Sequence, residues 1–131
     1  MAWPPDEHFE ALIQKAIDFL QNVRIARHTV YREYAILELQ GNWGNYRIII
    51  SEVHRGDKTV KYSYYLLDQD NGLVIGFDNS ADNLVLRLRY GSNWMSHLHE
   101  ELPHQHTPDG DIRLTEWMDF DGFIAWVENN L

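Results

Sequence analysis

The chain has 131 residues, 44% hydrophobic and 13% aromatic, with eleven Lys and Arg against twenty Asp and Glu, a formal charge of −9 and no cysteine. This composition fits one domain with a sizeable core and excludes a disordered chain; the missing cysteines exclude disulfides, thiolate zinc sites and thiol nucleophiles, and make a reducing cytoplasm the natural compartment. The acidity argues against nucleic-acid binding through a broad basic surface but leaves room for a small basic patch or a basic protein partner.

No apolar run approaches the ~20 residues a membrane span requires. The opening residues MAWPPDEHFE lack the basic and apolar regions of a signal peptide. Residues 6–24 read as the first helix. Pro4 and Pro5 precede it, and Asp6, Glu7 and Glu10 put negative charge where the helix dipole favours it. Phe9, Leu12, Ile13, Ala16, Ile17, Leu20 and Val23 supply one apolar stripe. Arg24 and Arg27 fall at or beyond its end.

An antiparallel meander follows. Residues 30–40, 46–54, 59–68 and 73–78 alternate and are rich in β-branched and aromatic residues. They are separated by GNWGN, Arg55-Gly56-Asp57-Lys58 and Gln69-Asp70-Asn71-Gly72. Residues 84–90, LVLRLRY, alternate as a fifth strand, with Val85, Arg87 and Arg89 on one face. Residues 91–110 read as a loop with room for one short strand, and 111–114 as a brief edge strand. A last helix begins near 115–119, with Phe120, Phe123, Ile124 and Val127 as its stripe. The expected architecture is a single α+β domain spanning residues 1–131: an N-terminal helix, an antiparallel sheet of about five strands and a C-terminal helix.

Four of the seven histidines fall in one short segment, as His97-Leu98-His99 and His104-Gln105-His106. In an extended chain each pair shares a face, so each can converge on one ion or one substrate. A metal reading uses His97, His99, His104 and His106 as imidazole ligands, with Glu100 or Glu101 adding a carboxylate. No closed-site spacing is present, so no stoichiometric metal and no cofactor are expected. A metal-free reading uses the near-neutral titration of histidine, with a reference pKa of ~6.5. One ring deprotonates a 2′-hydroxyl, another protonates the departing 5′-oxygen, and a cation steadies the phosphate. His104 and His106 are the candidate acid–base pair, and Arg87 or Arg89 the cation. Asp78-Asn79 fits turn chemistry, and Asp78 also fits an acid that orients a histidine. Tyr62, Tyr64 and Tyr65 read as core and sheet surface. His8, His28 and His54 are scattered and carry no assigned role.

The run KYSYYLLDQDNGLVIGFDNS (61–80), followed by ELPHQHTPDGD (101–111) and an amphipathic C-terminal helix, resembles the TumE-like toxin family of prokaryotic toxin–antitoxin modules. The corresponding positions are Tyr62-Ser63-Tyr64-Tyr65, Phe77-Asp78-Asn79, Pro103-His104-Gln105-His106 and Gly110-Asp111. The chain departs from the family pattern after Asn79, where residues 84–100 look inserted, and it has Gln105 in place of a lysine. The resemblance implies a growth-inhibiting toxin neutralised by an antitoxin with a DNA-binding domain. RNA is the candidate substrate, no membrane is involved, and a homo-oligomer stays open. The candidate catalytic residues are Asp78, Arg87, Arg89, His104 and His106. The rivals are a His-ligated metal-dependent enzyme and a non-catalytic interaction protein.

Overall fold

The computed structural model describes residues 4–131, with side chains from residue 7 onward. The reading of residues 1–3 as no part of a leader lies outside the described residues. Helix α1 (Pro4–Phe19) leads into strands β1 (Gln21–Val30), β2 (Tyr34–Trp43), β3 (Tyr46–Arg55), β4 (Lys58–Leu67) and β5 (Leu73–Asp78). Helix α2 (Asn83–Tyr90) and a 3₁₀ turn (Gly91–His97) precede the short strands β6 (His104–His106) and β7 (Ile112–Leu114), and helix α3 (Phe120–Asn130) closes the chain. The strands form one antiparallel sheet in sequence order, β1 to β7. The α+β architecture and the terminal helices match the expectation, but the strand number is seven and not about five. No helix among the described residues is long and apolar enough to cross a membrane.

Two differences from the expected elements have local causes. The first helix stops at Phe19, short of residue 24, because Asn22 adopts a left-handed backbone (φ 54°) that a helix cannot continue through. The following Val, Ile, Thr and Val residues favour the pleat, so Arg24 and Arg27 sit on β1. Residues 84–90 are helical and not a fifth strand. Asp82 caps them, its side chain accepting from the Leu84 and Val85 N–H groups. The Leu and Arg residues are good helix formers, and Val85 and Leu86 bury one side. Gly91, at φ 58°, ends the helix.

The core lies between one face of the sheet and helices α1 and α3. Phe9, Leu12 and Ala16 from α1 and Phe120, Phe123 and Val127 from α3 cover Leu37, Leu39, Ile48, Ile50, Tyr62, Tyr64, Leu66, Ile75 and Phe77. Period-2 alternation therefore sends Tyr65, Gly76 and Asp78 to the opposite face. Helix α2 packs against β7.

Leu12 is 2% exposed within this core. Leu12→Ala should destabilise the protein by ~2–5 kcal/mol through lost burial and a residual cavity. Denaturant unfolding measures this; a change within about 0.5 kcal/mol would mean the stripe behaves as a solvent-facing one.

Candidate active site

The site is built where β4, β5 and β6 lie side by side. The register sets Asp78 opposite His104 and Gly76 opposite His106, while Tyr65 faces Gly76 from the other side. Because His104 and His106 are two residues apart on a strand, both rings project from the face that carries Asp78. Their centroids are 4.9 Å apart, nearly perpendicular.

Asp78 is 5% exposed, and a buried carboxylate must be paired and hydrogen-bonded to remain there. Its Oδ1 lies 2.9 Å from His104 Nε2 and accepts from the Ser80 N–H at 2.9 Å. Its Oδ2 lies 3.1 Å from His106 Nε2 and accepts from the Tyr65 hydroxyl. Burial pushes the Asp78 carboxyl up, but the bonds from His104, Tyr65 and Ser80 and the charge on His104 outweigh it. They hold the group well below the usual carboxylate range. Burial, then the bond to Asp78 and its charge, push the Tyr65 phenol up, so that it serves as a donor.

His104 is 1% exposed, and its second nitrogen, Nδ1, faces the Leu102 carbonyl at 2.7 Å. One ring thus confronts two acceptors, and both are satisfied only when both nitrogens carry protons. Burial pulls the His104 pKa down; the bonds to Asp78 and Leu102 and the charges of Asp78 and Asp82 outweigh that and raise it. His106 differs from it in access. Its side chain is 24% exposed, and Nδ1 makes no hydrogen bond to the described residues.

Gly76 makes this packing feasible. A Cβ there would collide with the Tyr65 ring, which lies across the glycine and stacks beside His106 with centroids 6.0 Å apart. The residue pattern placed Tyr65 only in the core and sheet surface and passed over Gly76, whose signal was a glycine inside an alternating strand. Asn79, by contrast, serves the backbone. Its side chain accepts from the Tyr62 N–H and donates to the Val60 carbonyl.

The two arginines sit on α2 beside β7. Arg87 lies 4.6 Å from the Trp94 ring centroid and lines a shallow cavity with Ile112, the residue directly opposite His106. Arg89 lines the neighbouring cavity with Leu114, opposite His104. They therefore flank the histidine strand across β7. The structure does not bring His97 and His99 to His104 and His106. His97 Nδ1 is 2.9 Å from Glu100 Oε2 and the ring stacks on Tyr90, while His99 sits in a loop with φ 71°. The ligand atoms that do converge with His104 and His106 are those of Asp78. A second convergence, absent from the sequence reading, joins His8, Glu52 and His54 on the opposite face.

The chain matches no protein-family model, and no curated protein and no solved structure is significantly similar to it.

The Asp78–His104 pair makes stability pH-dependent. A raised histidine pKa contributes stability that is complete below the unfolded value of ~6.5 and is lost as pH rises through the higher folded value. A depressed aspartate contributes above the unfolded value of ~3.9 and loses this as pH falls towards the folded one. Both contributions are complete only between these limits. The Tm difference between the protein and His104→Gln should accordingly be larger near pH ~5.5 than near ~8.5. Equal differences at the two pH values would mean that His104 gains no proton affinity on folding.

Proposed function

We propose that the Asp78–His106 dyad is a metal-independent acid–base centre, and that the chain is the growth-inhibiting toxin of a toxin–antitoxin pair, cleaving RNA. The observation that carries the chemistry is a buried carboxylate gripping two imidazoles, one sealed and one reaching solvent. Asp78 fixes the orientation and tautomer of His106 by accepting from Nε2, which leaves Nδ1 as the nitrogen that exchanges protons with substrate. In the proposed step Nδ1 removes the proton of a ribose 2′-hydroxyl. The alkoxide attacks the adjacent phosphorus, and the 5′-oxygen leaves with a proton returned from the imidazolium. Arg87, on the flank of the histidine strand, meets the charge that develops on the phosphate. His104, buried against Asp78, is a positioning residue whose positive charge keeps the carboxylate ionised. The resemblance of the Phe77-Asp78-Asn79 and Pro103–His106 segments to TumE-like toxins supports the biological role and an antitoxin as partner.

The metal reading is weaker at this centre. The two imidazoles address different oxygens of Asp78, and those oxygens are also engaged by Ser80 and Tyr65. An ion bound by all three side chains would have to displace these donors.

His106→Ala should lower RNA cleavage by ~10²–10⁴-fold, the usual share of acid–base catalysis, with KM for RNA little changed. Arg87→Ala should cost a similar factor. His97→Ala should leave the rate near that of the parent. Cleavage of a labelled RNA by purified protein and colony formation after induced expression read these effects. Full toxicity from a folded His104→Ala/His106→Ala protein, or no toxicity in the parent, would sink the proposal.

A further inference from the structure

On the helix-covered face of the sheet a second carboxylate gathers two imidazoles. Glu52 and His54 are successive inward positions of β3, continuing the line of the core residues Ile48 and Ile50. Both are almost fully buried, at 2% and 3% exposure. Such positions take polar groups only when those groups are engaged. Glu52 Oε2 accepts from the Tyr64 hydroxyl at 2.8 Å. Glu52 Oε1 lies 2.8 Å from His54 Nε2 and 3.0 Å from His8 Nε2, the latter reaching down from α1. The rings of His8 and His54 are 4.4 Å apart.

This cluster differs from the Asp78 centre in one respect that decides its chemistry. At Asp78 the two imidazole nitrogens sit on separate oxygens; at Glu52 they converge on one. The three ligand atoms therefore enclose a single point. His54 Nε2 also lies 3.0 Å from Thr59 Oγ1, so a nitrogen that carries at most one proton confronts two oxygens. His8 and Glu52 line a cavity of about 100 Å³, bordered also by Thr59, Trp117 and Asp119. Lys15, the cation on that rim, is bound by both carboxylate oxygens of Asp121, at 3.0 and 2.9 Å.

We infer that His8, Glu52 and His54 form a binding site for a divalent transition-metal ion of the zinc class, with a further coordination position open to the cavity. Tetrahedral zinc bonds of ~2.0–2.2 Å to imidazole nitrogen and carboxylate oxygen place neighbouring ligand atoms roughly 3.3–3.6 Å apart. The observed 2.8 and 3.0 Å separations open to that range with small side-chain shifts. Two imidazoles, one carboxylate and an open position form the donor set of catalytic, as opposed to closed structural, zinc sites. Tyr64, bonded to the oxygen that faces away from the imidazoles, is the outer partner that orients the carboxylate. Burial raises the Glu52 pKa, while bonds from His54, His8 and Tyr64 lower it to about 2, so the ligand is already an anion at neutral pH. Binding then requires both Nε2 atoms to offer lone pairs and releases any protons they carry.

The test is Co²⁺ titration of the full chain, stripped of metal with chelator and dialysed, followed by visible absorption and calorimetry. The protein should bind Co²⁺ at this centre with the intense bands of a low-coordinate ion, and Zn²⁺ should displace it. The His104→Ala/His106→Ala protein should retain those bands. His8→Ala should lose them and bind at least about 100-fold more weakly, because loss of an outer partner alone costs 10–100-fold. His8 is half-exposed, so its removal should leave the circular dichroism spectrum and melting curve intact. His54→Ala is the corroborating variant, used only where its spectrum shows it folded. No Co²⁺ binding by the parent, equal binding by His8→Ala, or loss confined to the His104/His106 variant would each overturn the inference.

Discussion

A carboxylate inside a protein is stable only where donors surround it, and Asp78 sets the terms for its whole neighbourhood. Its two oxygens draw in His104, His106, Tyr65 and the Ser80 N–H. Meeting all four requires three strands in fixed register, a glycine beneath the tyrosine ring and a backbone after residue 78 that brings the Ser80 N–H to the carboxylate. The short strand β6 makes only three register pairs with β5, and Asp78↔His104 is one of them. The site and the local fold are thus one structure. Replacing Asp78 removes an acceptor from each of these donors, whereas replacing His106 touches only the solvent-facing arm.

Much of this was legible in the residues. Alternation located strands β2 to β5, and the i, i+2 spacing of His104 and His106 put both rings on one face. The remainder depended on competition that the pattern alone cannot decide. LVLRLRY satisfies a strand template, but the cap supplied by Asp82 and the high helix propensity of Leu and Arg outweigh its alternation. The arginines consequently flank the histidine strand from a helix and do not extend its face. Asn22 shortened the first helix in a similar way, by a backbone conformation that the apolar stripe does not reveal.

The Glu52 cluster teaches a different lesson. In YRIIISEVH, Ile48, Ile50, Glu52 and His54 share one parity, so the alternation already placed a carboxylate and an imidazole in line with the core. Polar residues at core positions are the signal that scattered histidines conceal. His8 was out of reach of that argument, since only the packing of α1 on β3 brings it there. The chain therefore carries two carboxylate–bis-imidazole groups on opposite faces, with adjacent residues Tyr64 and Tyr65 donating to one each. Their different geometry, one oxygen shared against two oxygens divided, is the ground on which ion binding is proposed for one and proton transfer for the other.

In the proposed mechanism Asp78 holds His104 as an imidazolium while His106 offers Nδ1 to substrate. Long-range ¹H–¹⁵N NMR of the imidazole rings reads the protonation of each nitrogen directly. At a pH above the ~6.5 of a free imidazole, His104 should still show protons on both nitrogens. His106 should show its proton on Nε2, with Nδ1 bare. A neutral His104 at that pH, or a His106 protonated on Nδ1 with Nε2 bare, would contradict the assignment of roles.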